Sequence, residues 1–200
     1  MSKLSEAKTY GGVGSILMLL AIVPSVGWLL AIVGAILVLV AIKRVSEVVA
    51  DPSIFNNMLI AIVLGIAGIV VGVVVIAASV FSAFGLTALT QMAPGSVPSI
   101  AQTDIVKLIT GIVAGLAVVW ILLLVAAIFV RKSYGSMATK LGVGMFSTSG
   151  LIFLIGAALT IVLVGFILIF VSEILNIIAF FSIPEQLPMA SPTMAPAPSA

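Results

Sequence analysis

The sequence has neither cysteine nor histidine, and charged residues make up only 7% of it. Without thiolates or imidazoles there is no disulfide framework, no usual zinc or haem ligation, and no Cys or His base for nucleophilic catalysis. Most enzyme classes fall away with them, and no cofactor is expected. Eight Lys or Arg against six Asp or Glu leave a formal net charge of +2. That is too little basic surface for a nucleic-acid footprint, which needs cations clustered on one face.

What remains is apolar. Hydrophobic residues account for 63% of the 200 positions, and the mean hydropathy is +1.47. Soluble domains hold roughly 45–50% apolar and about 25% charged residues, so the composition excludes a water-soluble globule. At about 20 residues per membrane-crossing helix, the apolar content supplies roughly six helices. The expected fold is all-α: a polytopic helical membrane protein with about six transmembrane helices, two helical hairpins and a disordered Pro-rich C-terminal tail.

The first apolar block, from Thr9 to Ile42, holds 34 residues, about 51 Å as one helix. Fitting it into a ~30 Å hydrocarbon core would need more tilt than the ~40° seen in spanning helices. Pro24-Ser25-Val26-Gly27 stands in its middle and interrupts helical hydrogen bonding, which predicts a hairpin with spans at about 9–23 and 27–42. Asp51-Pro52 is a helix-start signature, a capping carboxylate followed by Pro at the first helical position, and a span at about 55–83 follows. Residues 85–106, with Pro94, Gly95, Pro98, Gln91, Gln102 and Asp104, read as a polar loop. The next span runs at about 107–130 and ends at Arg131-Lys132, with Tyr134 at interface depth. The block from Gly142 to Ile183 carries one charge over 42 residues and predicts a second hairpin, spans about 143–162 and 164–183, with only Gly165 to suggest the turn; the alternative is a single long span followed by an interfacial helix. Residues 1–183 thus form the bundle. Residues 184–200, with Pro at 184, 188, 192, 196 and 198, form a tail that cannot build a core.

Basic residues orient the bundle. Lys3, Lys8, Lys43, Arg44, Arg131, Lys132 and Lys140 share one side, and only Lys107 lies near the other. The rule that cytoplasmic loops are basic puts the N-terminus in the cytoplasm, and with six spans the C-terminus too, in a multi-pass protein of the cell membrane. Ordinary topogenic and headgroup contact accounts for these charges. Partners are therefore membrane lipids, with no nucleic acid.

Two features go beyond topology. Ala61, Gly65, Gly68 and Gly72 fall on one helix face, and Gly111 and Gly115 form another small-xxx-small pair. Such faces let backbones approach where lipid gives no hydrophobic drive, within the chain or across a homo-oligomer or larger membrane complex. The second feature is Glu173. In a hairpin it sits near mid-membrane, where an ionised carboxylate costs several kcal/mol. Asn176 lies one turn on along the same face, and Trp120, midway along its own span, is a candidate donor. Gly11-Gly12-Val13-Gly14 and Gly142-Val143-Gly144 carry neither a dinucleotide fingerprint nor a phosphate loop and read as packed or flexible helix starts.

Two stretches, Glu6-Ala7-Lys8-Thr9-Tyr10-Gly11-Gly12-Val13-Gly14-Ser15-Ile16-Leu17 and Asp51-Pro52-Ser53-Ile54-Phe55-Asn56-Asn57, resemble a family of small, mainly archaeal integral membrane proteins known as a domain of unknown function. The resemblance covers about residues 4–183 and leaves the Pro-rich tail outside. It brings no activity, cofactor or catalytic residue, and it implies an archaeal cell membrane. The leading expectation from the residues is a non-catalytic structural, accessory or assembly subunit. The alternative is a small ion- or proton-coupled transporter or channel using Glu173.

Overall fold

A computed structural model describes residues 2–90 and 102–187. Six helices occur in it: α1 (Lys3–Leu19), α2 (Gly27–Val48), α3 (Pro52–Thr90), α4 (Gln102–Leu141), α5 (Gly144–Leu159) and α6 (Val164–Phe181). There is no strand among the described residues. The helices pair as three hairpins, α1–α2, α3–α4 and α5–α6, and α6 closes the arrangement by packing on α1. All but α1 are long and apolar enough to cross a membrane.

The predicted turns form for identifiable reasons. At the first, Ser25 takes a positive φ of 72°, and the Gly27 amide donates to Val23 O at 2.9 Å. A Cβ at Gly27 would overlap the Ala21 carbonyl, so the turn needs a glycine there. The second hairpin turns through a short 3-10 segment, Thr160–Val162, and Leu163 in the left-handed region at φ 61°. Gly165 is not the turn residue but a packing residue, its face set against the Gly156 carbonyl, where a side chain would overlap.

Connections at the opposite end are short. Ala50, at φ 53°, ends α2, where the Asp51 amide donates back to Ser46 O at 3.0 Å. Asp51 then starts α3, its Oδ1 accepting from the Ser53 amide at 3.1 Å and hydroxyl at 2.6 Å. Gly142, at φ 69°, ends α4, and the Val143 amide donates to Ala138 O at 3.1 Å, a Schellman-type closure.

Two expectations need correction. The basic stretch after Arg131 is helical and not a loop: α4 runs to Leu141. Ser133, Tyr134, Met137, Ala138 and Leu141 form a buried stripe at helical spacing, and Arg131, Lys132, Thr139 and Lys140 are exposed opposite it. The charges mask that period in the sequence. Tyr134, on that stripe, is buried within the bundle, at 6% exposure. Residues 85–106 are not wholly loop either. α3 reaches Thr90 past a break at Gly85 (φ 37°, ψ −163°), and α4 begins at Gln102. The loop residues Gln91, Pro94, Gly95 and Pro98, and the tail from residue 188, lie outside the described residues.

The core gathers where α1, α3 and α5 begin and α2, α4 and α6 end. Phe146 and Phe180 meet edge to face at 5.0 Å between ring centres, with Tyr134 5.7 Å from Phe146. Ile42, Ile54, Met137, Leu141 and Ile183 complete the layer. The glycines of α1 admit it: the Phe180 ring fills the place of a side chain at Gly11, and Phe181 that at Gly12. Beyond this core the surface is apolar, with Val73, Val74 and Val113 about 60% exposed, as lipid-facing positions would be.

Each hairpin has one close backbone approach. A Cβ on Gly34 would stand 2.6 Å from Gly14 O, and one on Gly156 3.0 Å from Gly165 O. In α3–α4, a Cβ on Gly115 would stand 3.3 Å from Gly72 O. The α3 face divides: Gly68 lies against Leu122 and Gly72 against Val119, whereas Gly65 has nothing within 4 Å. Ala61 is buried at 4% exposure, and Gly111 is filled by Ser79.

Candidate functional site

Glu173 lies midway along α6, and around it the bundle leaves a cavity of about 200 Å³. The cavity runs along α3 from Met58 to Gly65 and along α4 from Leu123 to Tyr134, with Met18, Val38, Phe153, Ser149 and Ser172 completing the wall. Gly65, unpacked on the helix–helix contact, opens onto this space. Its lining is mostly aliphatic, and Glu173 is the one ionisable carboxyl in it.

The polar groups nearby are largely satisfied within the chain. Ser149 Oγ donates to Ser172 O at 3.0 Å, and Ser172 Oγ donates to Ser149 O at 2.9 Å, a reciprocal clasp between α5 and α6. Asn176 Nδ2 donates to Ser15 Oγ at 3.0 Å and joins α6 to α1. Two atoms are not satisfied. Glu173 Oε1 and Asn176 Oδ1 are both sealed from solvent without a hydrogen-bond partner. Leaving such acceptors unpaired costs about 1–3 kcal/mol each, and more for a charged group.

Sequence reasoning placed Glu173 and Asn176 together, one turn apart, and the structure does so. It does not bring Trp120 to them. Trp120 Nε1 donates to Ala157 O at 3.2 Å, which fixes the α5–α6 turn level with the middle of α4. Ser15, Tyr134, Ser149 and Ser172 were missed. Serines isolated in apolar helices were the available signal, because a hydroxyl there seeks a carbonyl on a neighbouring helix. Ion pairs join α1 to α2 at the core end, Lys3 Nζ to Glu47 Oε2 at 3.0 Å and Arg44 to Glu6 at 3.4 Å. They are exposed or partly exposed and contribute little. Among the described residues no group of three or more Asp or Glu is placed to hold a metal ion.

No solved structure matches this chain. Its sequence is similar to the "Uncharacterized protein MJ1644" of Methanocaldococcus jannaschii, 32% identical over 191 residues, which covers 92% of this chain and 96% of that protein. The model of a family described as "Protein of unknown function (DUF996)" matches residues 30–174. On both grounds, the chain belongs to the DUF996 family of proteins of unknown function.

Proposed function

We propose that this protein is a small ion- or proton-coupled transporter or channel in which the Glu173 carboxyl exchanges the proton or cation. One observation carries the reading: Glu173 Oε1 is buried without a partner at the wall of a cavity. An ionised carboxylate in an apolar interior is costly unless it is paired, and neither ion pair found among the described residues involves it. A proton or a cation from outside must therefore balance it. Ionisable groups kept inside a membrane bundle mark ion and proton pathways. Tyr134, Asn176 and Ser15 would orient the carboxyl and supply further oxygens to a bound cation.

The second reading is a non-catalytic structural, accessory or assembly subunit. It is supported by the use of nearly every other buried polar group and of most close-packing glycines to join helices. Flux measurements on proteoliposomes carrying an internal pH dye, under an imposed potential, separate the two. The transport reading expects potential-driven proton or alkali-cation flux in the wild type and none with Glu173→Gln, whose amide keeps the shape but cannot release a proton. Equal flux in both proteins, or none in either, would remove it and leave the accessory reading.

A further inference from the structure

A second site lies on the outer surface at the core end, where α3, α4 and α5 border an open groove of about 620 Å³. One stripe of α4 forms its floor, from Ile128 through Arg131 and Lys132 to Ser136 and Thr139. Gly135 widens it at the centre, for a Cβ there would have nothing within 4 Å. The stripe changes character along its length. Ile128, joined by Leu154 of α5, is apolar. Arg131 and Lys132 follow, with Asn57 of α3 across from them, and hydroxyls come last.

The donors are free for a ligand. Neither Arg131 nor Asn57 hydrogen-bonds or pairs with any other side chain among the described residues. Lys132 is exposed, and its Nζ stands 5.3 Å from the centre of the Phe129 ring. Two adjacent cations, one of them a guanidinium fork, and an amide suit a phosphate diester, whose oxygens accept bidentate hydrogen bonds from Arg. An apolar wall at one end and hydroxyls at the other suit an amphiphile and not a free anion.

We infer that this groove is a selective site for one anionic glycerophospholipid. Its phosphate would lie between Arg131, Lys132 and Asn57, its headgroup toward Ser136 and Thr139, and its chains along Ile128 and Leu154. This differs from diffuse attraction between basic loops and an anionic leaflet, which depends on the number of charges and not on the groove. Lys140, also cationic and on the same helix, stands outside it and serves as the comparison.

The test uses the full chain in dodecyl maltoside, titrated with dioleoylphosphatidylglycerol or dioleoylphosphatidylcholine, with bound lipid counted by native mass spectrometry and thermal melting followed in parallel. One phosphatidylglycerol should be retained in preference to phosphatidylcholine. Each groove cation removed should weaken it about fivefold, so Arg131→Gln with Lys132→Gln together should cost roughly 25-fold, and Lys140→Gln less than about twofold. Gly135→Leu, which fills the groove without removing charge, should also abolish the retained lipid. Melting in phosphatidylcholine reports whether each variant is folded. Equal retention of the two lipids, equal losses at Lys140 and in the groove, or a folded Gly135→Leu that keeps its lipid would overturn the inference. Displacement of the lipid by millimolar inorganic phosphate would also overturn it, by assigning the groove to a free anion.

Discussion

Replacing Gly34 by Ala and Gly65 by Ala adds the same methyl group to two membrane helices, and the two should behave oppositely. At Gly34 the new carbon would stand 2.6 Å from Gly14 O, 2.8 Å from Met18 Cγ and 2.9 Å from Met18 N. Two of those three atoms are backbone and cannot swing aside, so α1 and α2 must part by several tenths of an ångström to reach ordinary contact. Overpacking of this kind costs typically about 1–3 kcal/mol. At Gly65 the same carbon meets nothing within 4 Å and projects into the cavity. Both substitutions gain the helix propensity of Ala over Gly, about 1 kcal/mol, and that gain cancels in the difference. Gly34→Ala should therefore be less stable than Gly65→Ala by about 1–3 kcal/mol. At roughly 2–4 °C per kcal/mol for a chain of this size, the gap in melting temperature in one detergent should be several degrees. Gly65→Ala should melt at or above the wild type. Equal melting of the two variants would refute the close approach of α1 to α2, and a loss at Gly65 equal to that at Gly34 would refute the cavity beside it.

The strained connections give a gain instead: Ala50→Gly and Leu163→Gly each relieve a left-handed non-glycine residue, so each should raise the detergent melting temperature by the equivalent of up to about 1 kcal/mol. In the clasp, Ser149→Ala removes the 3.0 Å bond to Ser172 O and should cost about 0.5–1.5 kcal/mol in a denaturant titration. The Asp51 carboxyl is held below its usual range, first by the Ser53 hydroxyl and then by the Ser53 amide and Lys140, against the effect of desolvation. A carboxylate with a depressed folded-state value stabilises above its unfolded value and loses that contribution as the pH falls through the folded one. The melting difference between wild type and Asp51→Ala should thus be full at about pH 7 and narrow below about pH 4. Cysteines introduced singly at Ser2, Thr139 and Ser182 in this cysteine-free chain should react with a membrane-impermeant maleimide only from the cytoplasmic side, and one at Ser96 only from outside. Labelling of Ser2 and Ser182 from opposite sides would refute that arrangement.

Hydropathy carries far in a chain like this because length and turn chemistry suffice to place helices. Pro24 and the 34-residue first block imply the hairpin found, and Asp51-Pro52 gives the start of α3. Glu173 with Asn176 was legible because a lone acid in an apolar run is conspicuous. Periodicity failed where two signals overlapped. Between Arg131 and Lys140 the charged face of α4 hid the apolar stripe through Tyr134, Met137 and Leu141, so a core helix read as a loop. Spacing alone could not separate Gly65 from Gly68 and Gly72. The three share a helix face, and only the position of α4 decides which of them meets a neighbour. Ser149 and Ser172 lie far apart in sequence, and the register of two helices is what makes them a clasp.

The bond from Trp120 to Ala157 has a consequence for the lipid around the protein. The apolar length of α4 between Lys107 and Arg131 is about 35 Å at helical rise, enough to cross the hydrocarbon layer alone, and Trp120 stands near its midpoint. The α5–α6 turn, with Ile161, Val162 and Leu163 exposed and uncharged, is therefore held level with the middle of α4. Two helix cross-sections of about 10 Å diameter, roughly 160 Å² together, thus stand beside the Leu141 half of α4 and not beside its other half. A bundle of unequal cross-section along its length should favour bilayers whose two leaflets differ in area, a preference that sorting between small and large vesicles would measure.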